Sequence, residues 1–160
     1  MATRKGSTRI AVVAALAAAI AVSAIGWAGT ASSQAAAQRA AKAATVQTKT
    51  LKKLGTVLVN SKGRTLYMFV PDHQKKVTCH GSCAAAWPPL KVKKGQSPTA
   101  GGAARKKLLG LDGRVVTYNR WPLYTYVGDS KPGQATGQAL NLNGGLWYVL
   151  SPSGKVIKKK

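Results

Sequence analysis

This chain of 160 residues has three acidic residues, all aspartates, and two of them close the same short pattern. Tyr67-Met68-Phe69-Val70-Pro71-Asp72 and Tyr124-Thr125-Tyr126-Val127-Gly128-Asp129 both read Y-x-[F/Y]-x-x-D. An internal repeat defines the structural unit, so the chain is expected to fold as two related halves. On an extended strand residues i and i+2 share a face, which sets Tyr67 beside Phe69 and Tyr124 beside Tyr126. The aspartate follows three residues later, past Pro71 in one copy and Gly128 in the other, where a strand must end. A carboxylate there suits an Asx turn onto backbone N–H groups. The motif therefore reads as an aromatic core pair with a turn-locking acid. Its functional counterpart is an aromatic platform with a carboxylate at its rim, suited to a sugar or another planar ligand.

Turn chemistry divides the rest of the folded part into short hairpins. Thr56–Val59 runs through Asn60-Ser61-Lys62-Gly63 into Arg64–Phe69, and Leu146–Leu150 runs through Ser151-Pro152-Ser153-Gly154 into Lys155–Ile157. Apolar stretches flanking a short turn that ends in glycine predict hairpins, and these two resemble each other. Between them, Leu108–Leu111 and Arg114–Tyr118 flank Asp112-Gly113, a two-residue turn signal, and Tyr118 leads through Trp121-Pro122 toward the second motif. Cys83–Trp87 is the one helical stretch, with Ser82 as its cap and Pro88-Pro89 as its stop. Residues 95–104 and 130–145 read as Gly/Pro/Gln loops. The expected fold is mainly β: a small antiparallel sandwich or barrel built from two related repeats with one short helix.

The N-terminus has the layout of an export signal. Arg4, Lys5 and Arg9 precede an uncharged Ala/Val/Ile run over residues 10–26, followed by small residues with A-x-A-like sites at Gly26-Trp27-Ala28 and Ala35-Ala36-Ala37. Residues 1–28 thus read as a signal peptide or an N-terminal membrane anchor, with 10–26 as the tether in the second case. Residues 29–50, rich in Ala, Ser, Thr and Gln without an apolar stripe, read as a flexible stalk. Residues 51–160 are left for one domain, with repeat one at about 55–98 and repeat two at about 108–157. An extracytoplasmic location follows, either secreted or associated with a bacterial cell envelope.

Charge narrows the partners. The chain carries +22, and within residues 51–160 nineteen Lys/Arg against three Asp leave +16. The cations are spread: Lys52-Lys53, Lys75-Lys76, Lys93-Lys94, Arg105-Lys106-Lys107 and Lys158-Lys159-Lys160. Such a surface attracts polyanions at long range and through counterion release. For an exported chain these are anionic wall polymers or lipid headgroups. No recognition helix supports sequence-specific reading of nucleic acid.

Cys79-His80-Gly81-Ser82-Cys83 has no counterpart in the second repeat. In an oxidising compartment two cysteines so placed read as a disulfide. A reactive dithiol is the alternative, with His80, Lys75 and Lys76 nearby to favour thiolate. The C-x-x-x-C spacing is neither the redox C-x-x-C nor the haem-attaching C-x-x-C-H. Met68, His73, Cys79, His80 and Cys83 together supply soft and imidazole donors suited to copper or haem iron. Catalytic candidates are few: Asp72 and Asp129 would make a glycosidase pair only if the repeat brought them together across a pseudo-axis, and two histidines on one loop offer no triad.

The paired motifs, the Cys79-x-x-x-Cys83-x-x-x-Trp87-Pro88-Pro89 segment and Trp121-Pro122-Leu123-Tyr124 together resemble the bacterial secreted repeat of unknown function. Members of that family are also described as predicted lipoproteins with a Yx(FWY)xxD motif. Pro132-Gly133, Gly137-Gln138 and Trp147-Tyr148 fit the same pattern. The resemblance spans about residues 55–160 and implies an exported β-domain. It brings no reaction with it, and no cysteine follows the apolar run to carry a lipid. Together with the basic surface, the chain reads as a non-enzymatic binding or accessory module with affinity for anionic envelope polymers, and no cofactor is expected. The alternative is an extracytoplasmic redox or electron-transfer accessory using haem or metal at the Cys79-His80-Cys83 loop.

Overall fold

The computed structural model describes residues 45–73 and 76–160. The export signal and most of the stalk expected from the sequence lie outside the described residues. Nine strands run β1 (Val46–Leu51), β2 (Gly55–Asn60), β3 (Tyr67–Phe69), β4 (Leu109–Asp112), β5 (Val115–Tyr118), β6 (Trp121–Pro122), β7 (Asn141–Leu142), β8 (Gly145–Leu150) and β9 (Val156–Ile157). One short helix, α1 (Ser82–Ala86), and a 3-10 turn at Lys106–Leu108 complete the described elements. All strand pairs are antiparallel and form three small sheets: β1–β2; β3–β8–β7 with β9 also on β8; and β4–β5–β6. The fold is mainly β as expected, and it is not a closed barrel.

The first strand starts inside the segment expected to be stalk. Val46 is fully buried, and β1 pairs along its whole length with β2, Val46 opposite Asn60 and Leu51 opposite Gly55. Its backbone is further held by Thr99, whose carbonyl accepts from the Val46 N–H at 3.0 Å. The alternation Val46-Gln47-Thr48-Lys49-Thr50-Leu51 is weakly apolar, and tertiary pairing rather than pattern makes it a strand.

The two hairpin turns match in detail. Asn60 N–H donates to the Arg64 carbonyl and Gly63 N–H to that of Asn60. In the second, Ser151 N–H donates to Lys155 and Gly154 N–H to Ser151. Gly63 and Gly154 take φ 75° and 81°, the left-handed conformation that favours glycine. After its turn the first hairpin parts company with the second. After the Val59–Thr65 bridge and one further bond, Leu66 N–H to the Leu58 carbonyl at 3.0 Å, the chain leaves β2, and β3 pairs with β8 instead, Tyr67 opposite Val149 and Phe69 opposite Trp147. Across the β4–β5 turn Asp112 faces Val115, so the turn residues are Gly113-Arg114, one position later than the sequence suggests. The region read as a long loop contains a further hairpin, β7–β8, closed by Asn143-Gly144 with both φ angles positive. In α1, Ser82 is the first helical residue and Gly81 takes the cap position, with no side-chain cap bond.

Neighbouring residues on β2, β3 and β8 enter two different cores. Val57, Val59, Tyr67, Phe69, Trp147 and Val149 pack in one with Trp87 and the cysteines. Leu58, Leu66, Met68 and Leu150 pack in the other with Val116, Tyr118 and Leu123. Because side chains alternate across a strand, a layer buried on both faces reads as a continuous apolar run. That layer is the wall on which the paired motifs sit.

Candidate functional site: an interlocked tyrosine–aspartate centre

The two motifs meet at their tyrosines. Tyr67 N–H donates to the Tyr124 carbonyl at 2.8 Å and Tyr124 N–H returns the bond to Tyr67 at 2.9 Å, an antiparallel bridge around a local two-fold relation. From there each phenol reaches the other motif's acid. Tyr67 Oη donates to Asp129 Oδ2 at 2.7 Å, and Tyr124 Oη donates to Asp72 Oδ2 at 2.5 Å. The remaining oxygen of each carboxylate is held by a threonine farther along the chain. Asp72 Oδ1 accepts from Thr78 N–H at 2.7 Å and Thr78 Oγ1 at 2.6 Å. Asp129 Oδ1 accepts from Thr136 N–H at 2.8 Å and Thr136 Oγ1 at 2.6 Å.

These aspartates are 0% and 1% exposed. Burial of a carboxylate is costly unless it is fully hydrogen-bonded, and three donors each supply that compensation. The Asx turn expected from the sequence is replaced by a longer reach. Each aspartate's own N–H closes a turn onto the aromatic residue three back, Phe69 or Tyr126, and frees the side chain to span the repeats. Burial, reinforced by the neighbouring carboxylate, raises both Tyr67 and Tyr124 far above the usual tyrosine range. Both phenols therefore remain neutral donors.

Around the centre stands a column of aromatic rings. Tyr126 stacks on Trp87 at 4.1 Å, Trp87 on Trp147 at 3.9 Å with planes 2° apart, and Trp147 on Phe69 at 4.2 Å. Tyr67 and Trp87 meet in a T-shaped pair with planes 80° apart, and Tyr124 meets Trp147 at 90°. Thus the motif's first aromatic buttresses its own repeat's tryptophan, and its second caps the tryptophan of the other repeat. Such contacts add about 0.5–1.5 kcal/mol per pair beyond area burial. Gly137 lies against this junction. A Cβ there would stand 2.7 Å from the Trp87 ring, and its N–H donates to Tyr67 Oη at 3.2 Å.

An open aromatic platform is not what these residues form: Tyr67, Phe69 and Tyr124 are buried, and only Tyr126 is partly accessible. The sequence pattern does not single out Thr78 and Thr136. Their spacing from the aspartate is unequal in the two repeats, six residues for Thr78 and seven for Thr136, so no repeat alignment shows them. Trp121, which the sequence places beside the second motif, packs in the other core.

Cys79 and Cys83 form a disulfide, with Cα atoms 5.3 Å apart, against the aromatic core. The other soft and imidazole candidates are dispersed. Met68 faces the opposite core because it lies between Tyr67 and Phe69 on β3. His73 is exposed near Trp121, and His80 is exposed with Nε2 donating to the Val77 carbonyl at 3.0 Å. Asp112 accepts from Val77 N–H at 3.0 Å, which ties the cysteine loop to the β4–β5 hairpin. Among the described residues no group of three or more His, Cys or Asp side chains gathers closely enough to hold a metal ion.

Among the described residues no helix is long and apolar enough to cross a membrane. No curated protein and no solved structure matches the chain. A family model described as a secreted repeat of unknown function matches residues 48–91 and 111–151, one segment for each motif. With both repeats matched and interlocked through their shared motif, this chain belongs to the secreted repeat family.

Proposed function

We propose that this chain is an exported, non-enzymatic binding or accessory domain, held at a bacterial cell envelope by attraction to anionic polymers. One observation carries the reading: a large excess of cations with two of the three acids buried. Asp72 and Asp129 are held inside by tyrosine, threonine and backbone donors and Asp112 is half-buried, so the exposed surface presents lysines with almost no acid among them. Lys52, Lys53, Lys93, Lys94, Lys106 and Lys107 are all exposed. Buried, fully bonded carboxylates are also poorly placed for acid–base work, which needs an accessible group that can exchange a proton.

The test is retention of the full chain on immobilised poly(glycerol phosphate) as salt is raised. Log affinity should fall linearly with log salt, and Lys93→Gln/Lys94→Gln or Lys106→Gln/Lys107→Gln should each weaken retention and flatten that slope by roughly one to two units. Retention indifferent to salt and to these variants would refute the reading. The alternative, a redox accessory with haem or copper at the Cys79-His80-Cys83 loop, would first have to open the disulfide. It predicts uptake of copper or haem by the reduced chain that Cys79→Ser/Cys83→Ser abolishes.

A further inference from the structure

At the edge of the aromatic core, the tip of the β1–β2 hairpin, the loop at 133–140 and the C-terminal segment line an open cleft of about 430 Å³. This is the size of a small-molecule site, typically about 300–1,000 Å³. Its floor includes Leu51, Leu54 and Leu140, all packed against the aromatic core, and its rim carries Lys52, Lys53 and Lys160. No aspartate lines it. The walls are tied down. Gln138 Nε2 donates to the carbonyls of Ile157 and Lys159 at 2.6 and 2.8 Å, and its Oε1 accepts from Val149 N–H at 2.9 Å. Beside it, Ala139 holds φ 58°, a left-handed conformation unfavourable for alanine, fixed by its N–H bond to Trp147 at 2.8 Å. Backbone strain of this kind persists only where surrounding structure enforces it, and it concentrates at ligand sites.

We propose that this cleft binds a single-headed amphiphile, a carboxylate on a medium-length apolar chain, with the chain on the leucine floor and the head among the rim lysines. The apolar floor and the three lysine ammonium groups of the rim are together complementary to that chemistry and to neither half alone. A short carboxylate would lack the floor contact, and a cationic amphiphile would meet repulsion at the rim. This site is separate from diffuse polymer attraction, because it requires one defined stoichiometry and an apolar segment.

Decanoate titrated into the full chain below its micelle-forming range, followed by backbone amide NMR, tests it. The expected result is saturable one-to-one binding with shifts concentrated at residues 51–54 and 133–140. Acetate should not saturate at the same concentrations, and decyltrimethylammonium should not bind there. Lys52→Gln/Lys53→Gln, on an exposed turn, should weaken decanoate about fivefold or more, whereas Lys93→Gln/Lys94→Gln should leave it unchanged. Both double variants should lose poly(glycerol phosphate) retention alike, so failure of the cleft and failure of the polymer reading are distinguishable. Scattered or unsaturable shifts, equal loss in the two variants, or equal binding of the cationic amphiphile would overturn the proposal.

Discussion

Asp72 and Asp129 each accept three hydrogen bonds while buried, and their donors come from both repeats. Replacing either by asparagine keeps the shape and removes the charge that strengthens those bonds. Asp72→Asn and Asp129→Asn should each cost roughly 2–4 kcal/mol in urea unfolding, and by similar amounts because the sites are equivalent. A cost confined to one of them would contradict that equivalence. The tyrosines give a pH signature. Their folded pKa lies above the ordinary 10.0, so the folded state keeps protons that the unfolded chain releases. Stability from this source is fully present below pH 10.0 and declines as pH rises past it. The slope is about 1.4 kcal/mol per pH unit for each tyrosine. Unfolding of the wild type and of Tyr67→Phe/Tyr124→Phe should therefore diverge in slope above about pH 10, and parallel curves would show that the phenols are not protected. The motif itself was legible in the sequence, and so was the burial of its aromatics. The crossed pairing was not, because two identical motifs leave open which tyrosine serves which acid.

The elements show why some of the fold could be read and some could not. Hairpin turns announced by Asn60–Gly63 and Ser151–Gly154 formed as expected, since local turn chemistry decides them. Strand partners did not follow from the turns: β3 abandons β2 for β8 because Tyr67 and Phe69 must face the tryptophan column that Trp147 completes. The β7–β8 hairpin lay hidden in a Gly-rich stretch although Asn143-Gly144 marks it. The disulfide joins Cys79 to Cys83 in the first turn of α1, four residues apart, and closes too small a loop to carry the fold. Reduction, or Cys79→Ala/Cys83→Ala, should cost about 2 kcal/mol and leave native near-ultraviolet signals intact. Collapse of those signals would mean that the loop organises the tryptophan column rather than merely clipping its edge.

For the molecule as a whole, the two repeats cannot be separate units. Their tyrosines share backbone bonds, each acid closes the other repeat's motif, and the ring column alternates between them. Half of this structure would bury a carboxylate without its phenol, so folding should be cooperative across both repeats. Turning the few acids inward also leaves the outer surface basic, which links the fold to the proposed attraction for envelope polymers. The most direct measurement is a pair of double-mutant cycles on unfolding free energy, one coupling Tyr67→Phe with Asp129→Ala and the other coupling Tyr67→Phe with Asp72→Ala. Interlocked repeats predict a coupling of about 1–3 kcal/mol between Tyr67 and Asp129 and a much smaller one between Tyr67 and Asp72. Strong coupling within the Tyr67–Asp72 motif, with none across to Asp129, would contradict the account.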